Sequence, residues 1–135
     1  ATALCPMGTA VPLAAGYKLA SPKTTVVAFS GDAGLEMVLG ELATLRDMNI
    51  NIPIVVFVDA SLALIEMKQR GDGMANQGVD FGATNFAAIA NAMGGKGVTA
   101  RSREKLKIAL RNALEANTFT LIACPIGRKA YEGRF

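Results

Sequence analysis

"TTVVAFSGDAGLEMVLGELATLRDMNINIPIVVFVDAS", residues 24–61, decides how this chain folds. Two of its runs, 24–30 and 52–58, are rich in β-branched and aromatic residues with no polar alternation. That is the pattern of strands buried on both faces. Between them Leu35, Val38, Leu39, Leu42, Leu45 and Met48 recur close to the helical period, which predicts a helix over 35–48. A buried strand, a helix and a second buried strand imply a parallel pair with a right-handed crossover.

The same alternation continues outward. Residues 11–20, "VPLAAGYKLA", read as a short helix ended by Ser21-Pro22, and 62–69, "LALIEMKQ", as another. Four Gly and no period make 71–84 a loop. A helix over 85–93 follows, with Thr84 as its expected N-cap. "GKGVTA" (95–100) supplies a strand, and Ser102 caps a helix whose apolar stripe is Leu106, Ala109, Leu110, Ala113 and Leu114. "FTLIACPI" (119–126) is the last strand. The expected fold class is α/β: one domain, 1–135, built on a doubly wound, mostly parallel sheet with helices on both faces.

Composition narrows the function. Apolar residues make up 51% of the chain and charged ones 19%, which is globular rather than disordered. The net charge of +3 is too small to suggest nucleic acid, and the basic residues between Arg101 and Arg111 read as a solvated helix face. No apolar stretch reaches the roughly 18 residues of a membrane span. The chain contains no His, the commonest general base and metal ligand at neutral pH. Cys5 and Cys124 form no CxxC pair, so zinc is disfavoured and a reducing, cytoplasmic setting is expected. The chain opens without an initiator Met inside what reads as structured sequence, and is expected to be a fragment of a larger multidomain protein.

Ligands of open parallel sheets sit beyond the carboxyl ends of the strands. "SGDAG" (30–34) and "VDASL" (58–62) both lie there, so Asp32 and Asp59 emerge from one sheet edge. Gly31, Ala33 and Gly34 are small enough to let main-chain N–H groups approach a ligand, and the helix start that follows favours phosphate. Amides suited to an anion beside a carboxylate that repels one are reconciled by a divalent cation. Mg²⁺ is commonly held by one or two carboxylates with ligand phosphates completing its octahedron. The plainer alternative is that Asp32 caps a helix and Asp59 belongs to a turn. Competing motifs fail: "GDAGLE" is no dinucleotide fingerprint, and "GGKG" (94–97) lacks the hydroxyl residue of a phosphate loop. The Gly-Asp-Gly at 71–73 and the Arg-Gly-Asp at 70–72 sit in the Gly-rich loop and read as chance.

"GDAGLEMVLGELATLRDMNINIPIVVFVDAS" resembles the diphosphate-binding signature of thiamine diphosphate (ThDP) enzymes, which begins Gly-Asp-Gly and ends at an Asn pair. Asp59 lies 27 residues after Asp32. "ALCPMGTAVPLAAGYKLA" (3–20) is similar to the preceding segment of the acetolactate synthase, pyruvate oxidase and benzoylformate decarboxylase group. "GVDFGATNFAAIANAMGG" and the terminal "AYEGRF" resemble the remainder of the same domain. The resemblance implies the C-terminal, diphosphate-binding domain of such an enzyme, with ThDP and Mg²⁺ as cofactors and FAD a candidate for an absent middle domain. It makes Asp32, Asp59 and the Ser61 carbonyl the metal ligands. Gly31, Ala33, Gly34 and main-chain groups of Leu62, Ala63 and Leu64 would meet the diphosphate. Met7 would wedge the cofactor into a bent shape, and the Cys5 carbonyl with the Met7 N–H would bond its aminopyrimidine edge.

Three residues depart from the signature: Ala33 stands for its second Gly, Asp59 for its usual Asn, and Cys5 for a Gly or other small residue. The essential Glu of the family lies on a separate N-terminal pyrimidine-binding domain of the same or a neighbouring subunit, so this chain alone is expected to be inactive. The function implied is decarboxylation of a 2-oxo acid and transfer of the acyl carbanion, as in acetolactate synthase, within a homo-oligomer. A decarboxylase or C–C lyase of the family, or a non-catalytic metal- or nucleotide-binding module, are the alternatives. Ile65 and Gln69 are expected to face the cofactor.

Overall fold

The computed structural model describes residues 6–128. Its four strands, β1 (Ala28–Gly31), β2 (Pro53–Val58), β3 (Lys96–Thr99) and β4 (Thr120–Pro125), form one all-parallel sheet in the order β1-β2-β4-β3. The last strand thus lies inside the sheet, and β2 and β4 share the longest ladder, Pro53↔Thr120 through Val58↔Pro125.

Side-chain alternation along the central strands feeds two cores. Ile54, Val56, Leu121 and Ala123 pack on one face with α1 (Ala10–Ala20), α2 (Asp32–Glu36), α3 (Glu41–Asp47) and, beyond α4 (Ala63–Gly71), α5 (Phe86–Ala92). Val55, Ile122 and Cys124 pack on the other with α6 (Arg103–Leu114), through Ala109, Ala113, Leu106 and Leu110. Helices on both faces explain why these strands read as unbroken apolar runs. Helix α4 joins neither core; Glu66 is its buried residue, held by Arg70 one turn on. β3 comes so close to α5 that a Cβ on Gly97 would stand 1.9 Å from the Ala87 carbonyl oxygen.

Four expectations are corrected. The first strand begins at Ala28, not Thr24, because the β2 register would set Val27 opposite Pro53, which has no N–H to give a ladder. That strand is not buried on both faces: α6 covers β2 and β4, leaving Phe29 58% exposed. The single helix over 35–48 is two, α2 and α3. Three-residue hydrogen bonds such as Glu41 N–H to Val38 O tighten the chain at 37–40, and Gly40, unfavourable inside a helix, starts α3. The period survives the break, since Leu35, Leu42 and Leu45 are fully buried. Finally, Asn85 rather than Thr84 caps α5, accepting from Ala88 N–H, while the Thr84 hydroxyl donates to the Glu36 carboxylate.

Candidate functional site

Where β1 and β2 end, the parallel register sets Gly31 beside Phe57, so the turns that follow emerge together. They open onto a cavity of about 430 Å³. Gly31, Asp32, Ala33 and Gly34 line it from the first turn. Asp59, Ser61, Leu62, Ala63 and Leu64 line it from the second, and Met7 from the segment ahead of α1. Cys5, like the terminal 130–135 stretch, lies outside the described residues.

Glycine makes the approach of the third segment feasible. A Cβ on Gly34 would stand 3.1 Å from Ser30 Oγ and 3.6 Å from the Gly8 nitrogen. Gly8 itself has φ +86°, a conformation side chains rarely adopt, and carries Met7 to the cavity with the residue 48% exposed.

Asp32 is the first residue of α2, with Gly31 in the N-cap position, so it is not the cap. Its carboxylate is 3% exposed and ties the two turns together. Oδ1 accepts from Ala33 N–H at 2.8 Å; Oδ2 accepts from Asp59 N–H at 3.1 Å and Ala60 N–H at 2.7 Å. A carboxylate has about four lone-pair directions, so three amides leave it room for one more partner. Asp59 is buried, and its Oδ1 accepts from Ser61 N–H at 3.2 Å, a turn-residue bond to the amide two residues on. Between them Ala60 sits at φ +54°, a strained setting for alanine.

Beyond the cavity the second turn is bound to the Gly-rich loop. Ser61 and Asp80 form an antiparallel bridge, and Ser61 Oγ donates to Asp80 Oδ1 at 2.8 Å. Arg128, just past β4, donates to the carbonyls of Asp59 and Ala60 at 2.9 and 3.0 Å. Neither Asp80 nor Arg128 stood out in the sequence, since nothing in spacing ties a polar tail to a loop 48 residues earlier. Phe29 and Phe57, stacked with centroids 6.4 Å apart, also line the cavity, although both read as buried strand residues. Of the pair expected to face the cofactor, Ile65 lines the cavity and Gln69 does not; its amide donates to Gln77 O.

The donors suit a hard cation. Asp32 and Asp59 line the cavity from adjacent turns, no basic side chain lines it among the described residues, and carboxylate oxygens are of the kind Mg²⁺ prefers. Among the described residues no three His, Cys, Asp or Glu side chains cluster, so side chains of these types alone do not build a complete metal site here. The side chain of Leu62 makes no capping bond to α4, leaving that helix start open to an anion at the cavity.

Residues 1–124 match the model of the thiamine pyrophosphate enzyme, C-terminal TPP binding domain. The chain is 32% identical over 120 residues to the catabolic acetolactate synthase of Raoultella terrigena, covering 89% of this chain and 22% of that protein. It is 33% identical over 130 residues to 3D-(3,5/4)-trihydroxycyclohexane-1,2-dione hydrolase 2 of Bacillus cereus, covering 86% and 20%. Among solved structures, the benzoylformate decarboxylase of Polynucleobacter necessarius superposes with a TM-score of 0.80 at 23% identity, over 90% of this chain and 24% of that one; at that identity it speaks for the fold. The chain spans about a fifth of the length of the curated relatives it matches. With a family model matching residues 1–124, the chain belongs to the thiamine pyrophosphate enzymes, as their C-terminal TPP binding domain.

Proposed function

We propose that this chain is the diphosphate-binding part of a larger ThDP- and Mg²⁺-dependent enzyme that decarboxylates a 2-oxo acid and passes the acyl carbanion to an acceptor, as an acetolactate synthase does. The observation that carries the reading is the Asp32 carboxylate bonded to the amides of Asp59 and Ala60 at the edge of a cavity that Met7 also lines. Asp32, Asp59 and the Ser61 carbonyl would hold Mg²⁺, and the main chain at 31–34 and 62–64 would meet the diphosphate. Met7 would support the bent cofactor, with Cys5 beside it. Bound ThDP supplies the electron sink for decarboxylation; the chain's own residues bind and orient it and keep water from one side.

The activating Glu belongs to a pyrimidine-binding domain of the same or a neighbouring subunit, so the 135 residues alone bind weakly and do not turn over. Phe29, Phe57, Leu64 and Ile65, all at least 39% exposed around the cavity, suit a covering domain and a homo-oligomer. A second reading, a hydrolase acting on a cyclic dione, is favoured by the matching identity to the Bacillus cereus relative.

Calorimetric titration of the full-length protein tests this. ThDP should bind only with Mg²⁺ and outcompete ATP and NAD, and both Asp32→Ala and Asp59→Ala should abolish binding. Binding of ThDP no tighter than of ATP, or unchanged in both variants, overturns it.

A further inference from the structure

The peptide unit joining Asp59 to Ala60 is gripped at both ends. Its N–H, on Ala60, donates to Asp32 Oδ2 at 2.7 Å, and its carbonyl, on Asp59, accepts from Arg128 Nε at 2.9 Å. Arg128 Nη2 also donates to the carbonyls of Ala60, at 3.0 Å, and Phe81, at 3.2 Å. Nη1 lies 3.5 Å from Asp80 Oδ2, and the other oxygen of that carboxylate accepts the Ser61 hydroxyl. One planar fork therefore collects the carbonyl side of the turn whose amide side faces Asp32, a task its fixed geometry suits better than a point charge does.

The grip has something to oppose. Rotating the 59–60 peptide by half a turn would move Ala60 from φ +54° to negative φ, out of a conformation that costs an alanine about 1–2 kcal/mol. The same rotation would turn the Asp59 carbonyl toward the Asp32 carboxylate and remove the Ala60 amide from it. In the strained form the Ala60 N–H stays on the Asp32 carboxylate and ties together the two turns that line the cavity.

We infer that Arg128, seated on Asp80, is a positioning residue that holds the 59–60 peptide in its strained orientation and so keeps the two-carboxylate metal site assembled. The inference rests on the Mg²⁺ and ThDP reading above, and it makes the segment after β4 part of the cofactor site.

The test is Mg²⁺-dependent ThDP binding to the full-length protein, measured by calorimetry for wild type, Arg128→Ala, Arg128→Lys, Ala60→Gly and the variant that combines Arg128→Ala with Ala60→Gly. Arg128→Ala should weaken Mg²⁺ about ten-fold, within the range of contacting, coupled residues. Charge alone predicts the reverse, because removing a nearby cation tightens a metal. Arg128→Lys, which keeps the charge but loses the fork and guards against simple unfolding, should fall about three-fold short of wild type. With the strain removed by Ala60→Gly, loss of Arg128 should cost no more than about three-fold. Equal losses with and without the Ala60→Gly change, or Mg²⁺ affinity unchanged or tighter in Arg128→Ala, overturn the inference while wild-type binding leaves the cofactor reading standing. Absence of Mg²⁺-dependent binding in wild type overturns both.

Discussion

Replacing Asp32 by Ala takes the acceptor from three main-chain donors at once: Ala33 N–H, Asp59 N–H and Ala60 N–H. A buried donor left without a partner costs about 1–3 kcal/mol. Water can reach the cavity edge, so the lower figure applies to each, and the apo protein should lose about 3 kcal/mol, a large part of the roughly 5–15 kcal/mol of a typical domain. Asp32→Asn keeps one carbonyl oxygen for the Asp59 and Ala60 amides but sets its NH₂ against Ala33 N–H. One donor is then stranded, and the loss should be about 1–2 kcal/mol. Urea denaturation of the 135-residue chain without cofactor measures both, with the slope against denaturant expected to stay unchanged. An Ala variant within about 0.5 kcal/mol of wild type, or an Asn variant less stable than the Ala one, would refute the claim that this carboxylate ties the two turns together.

Two other outcomes follow from packing and burial. Gly97→Ala drives a Cβ into the Ala87 main chain, so α5 and β3 must part; a loss of about 3 kcal/mol or more is expected in the urea midpoint. Gly82→Ala, where a Cβ meets nothing within 4 Å, should change little. Burial raises the Cys124 thiol above its ordinary value, so the folded chain holds that proton more tightly than the unfolded one. Its contribution to stability is complete below the ordinary thiol value and is lost as pH climbs above it. Iodoacetamide at pH 8 should therefore label Cys124 only on unfolding, and Cys124→Ala should flatten the fall in urea midpoint between pH 8 and 10.

Much of the architecture was legible in local pattern. Residues 52–58 read as a doubly buried strand, and β2 is one from Pro53 to Val56, where helices shield both its faces, while Phe57 beyond them is exposed. The run at 24–30 carried the same pattern and misled, since α6 leaves β1 uncovered and residue type does not say where a helix will stop. Leu35, Leu42 and Leu45 kept their helical period across a chain that breaks at 37–40, for burial follows the period whether or not the hydrogen bonds run unbroken. Thr84 and Asn85 are both good caps, and only the helix start chose between them.

The candidate site divides in the same way. Asp32 and Asp59 were visible because small residues and acids at the ends of two apolar runs are informative along the chain. The pairing of Arg128 with the Asp59 carbonyl, 69 residues apart, was not.

The sequence alone determined the α/β class, the edge of the sheet onto which two turns open and the acids at that edge. Apolar period and turn chemistry are properties of neighbours in the chain. Only the tertiary structure decided that β4 runs inside the sheet, that Phe29 and Phe57 face solvent, and that a strained peptide is held between Asp32 and Arg128. Those depend on groups brought together across many residues, where each contact exists only once the others have formed.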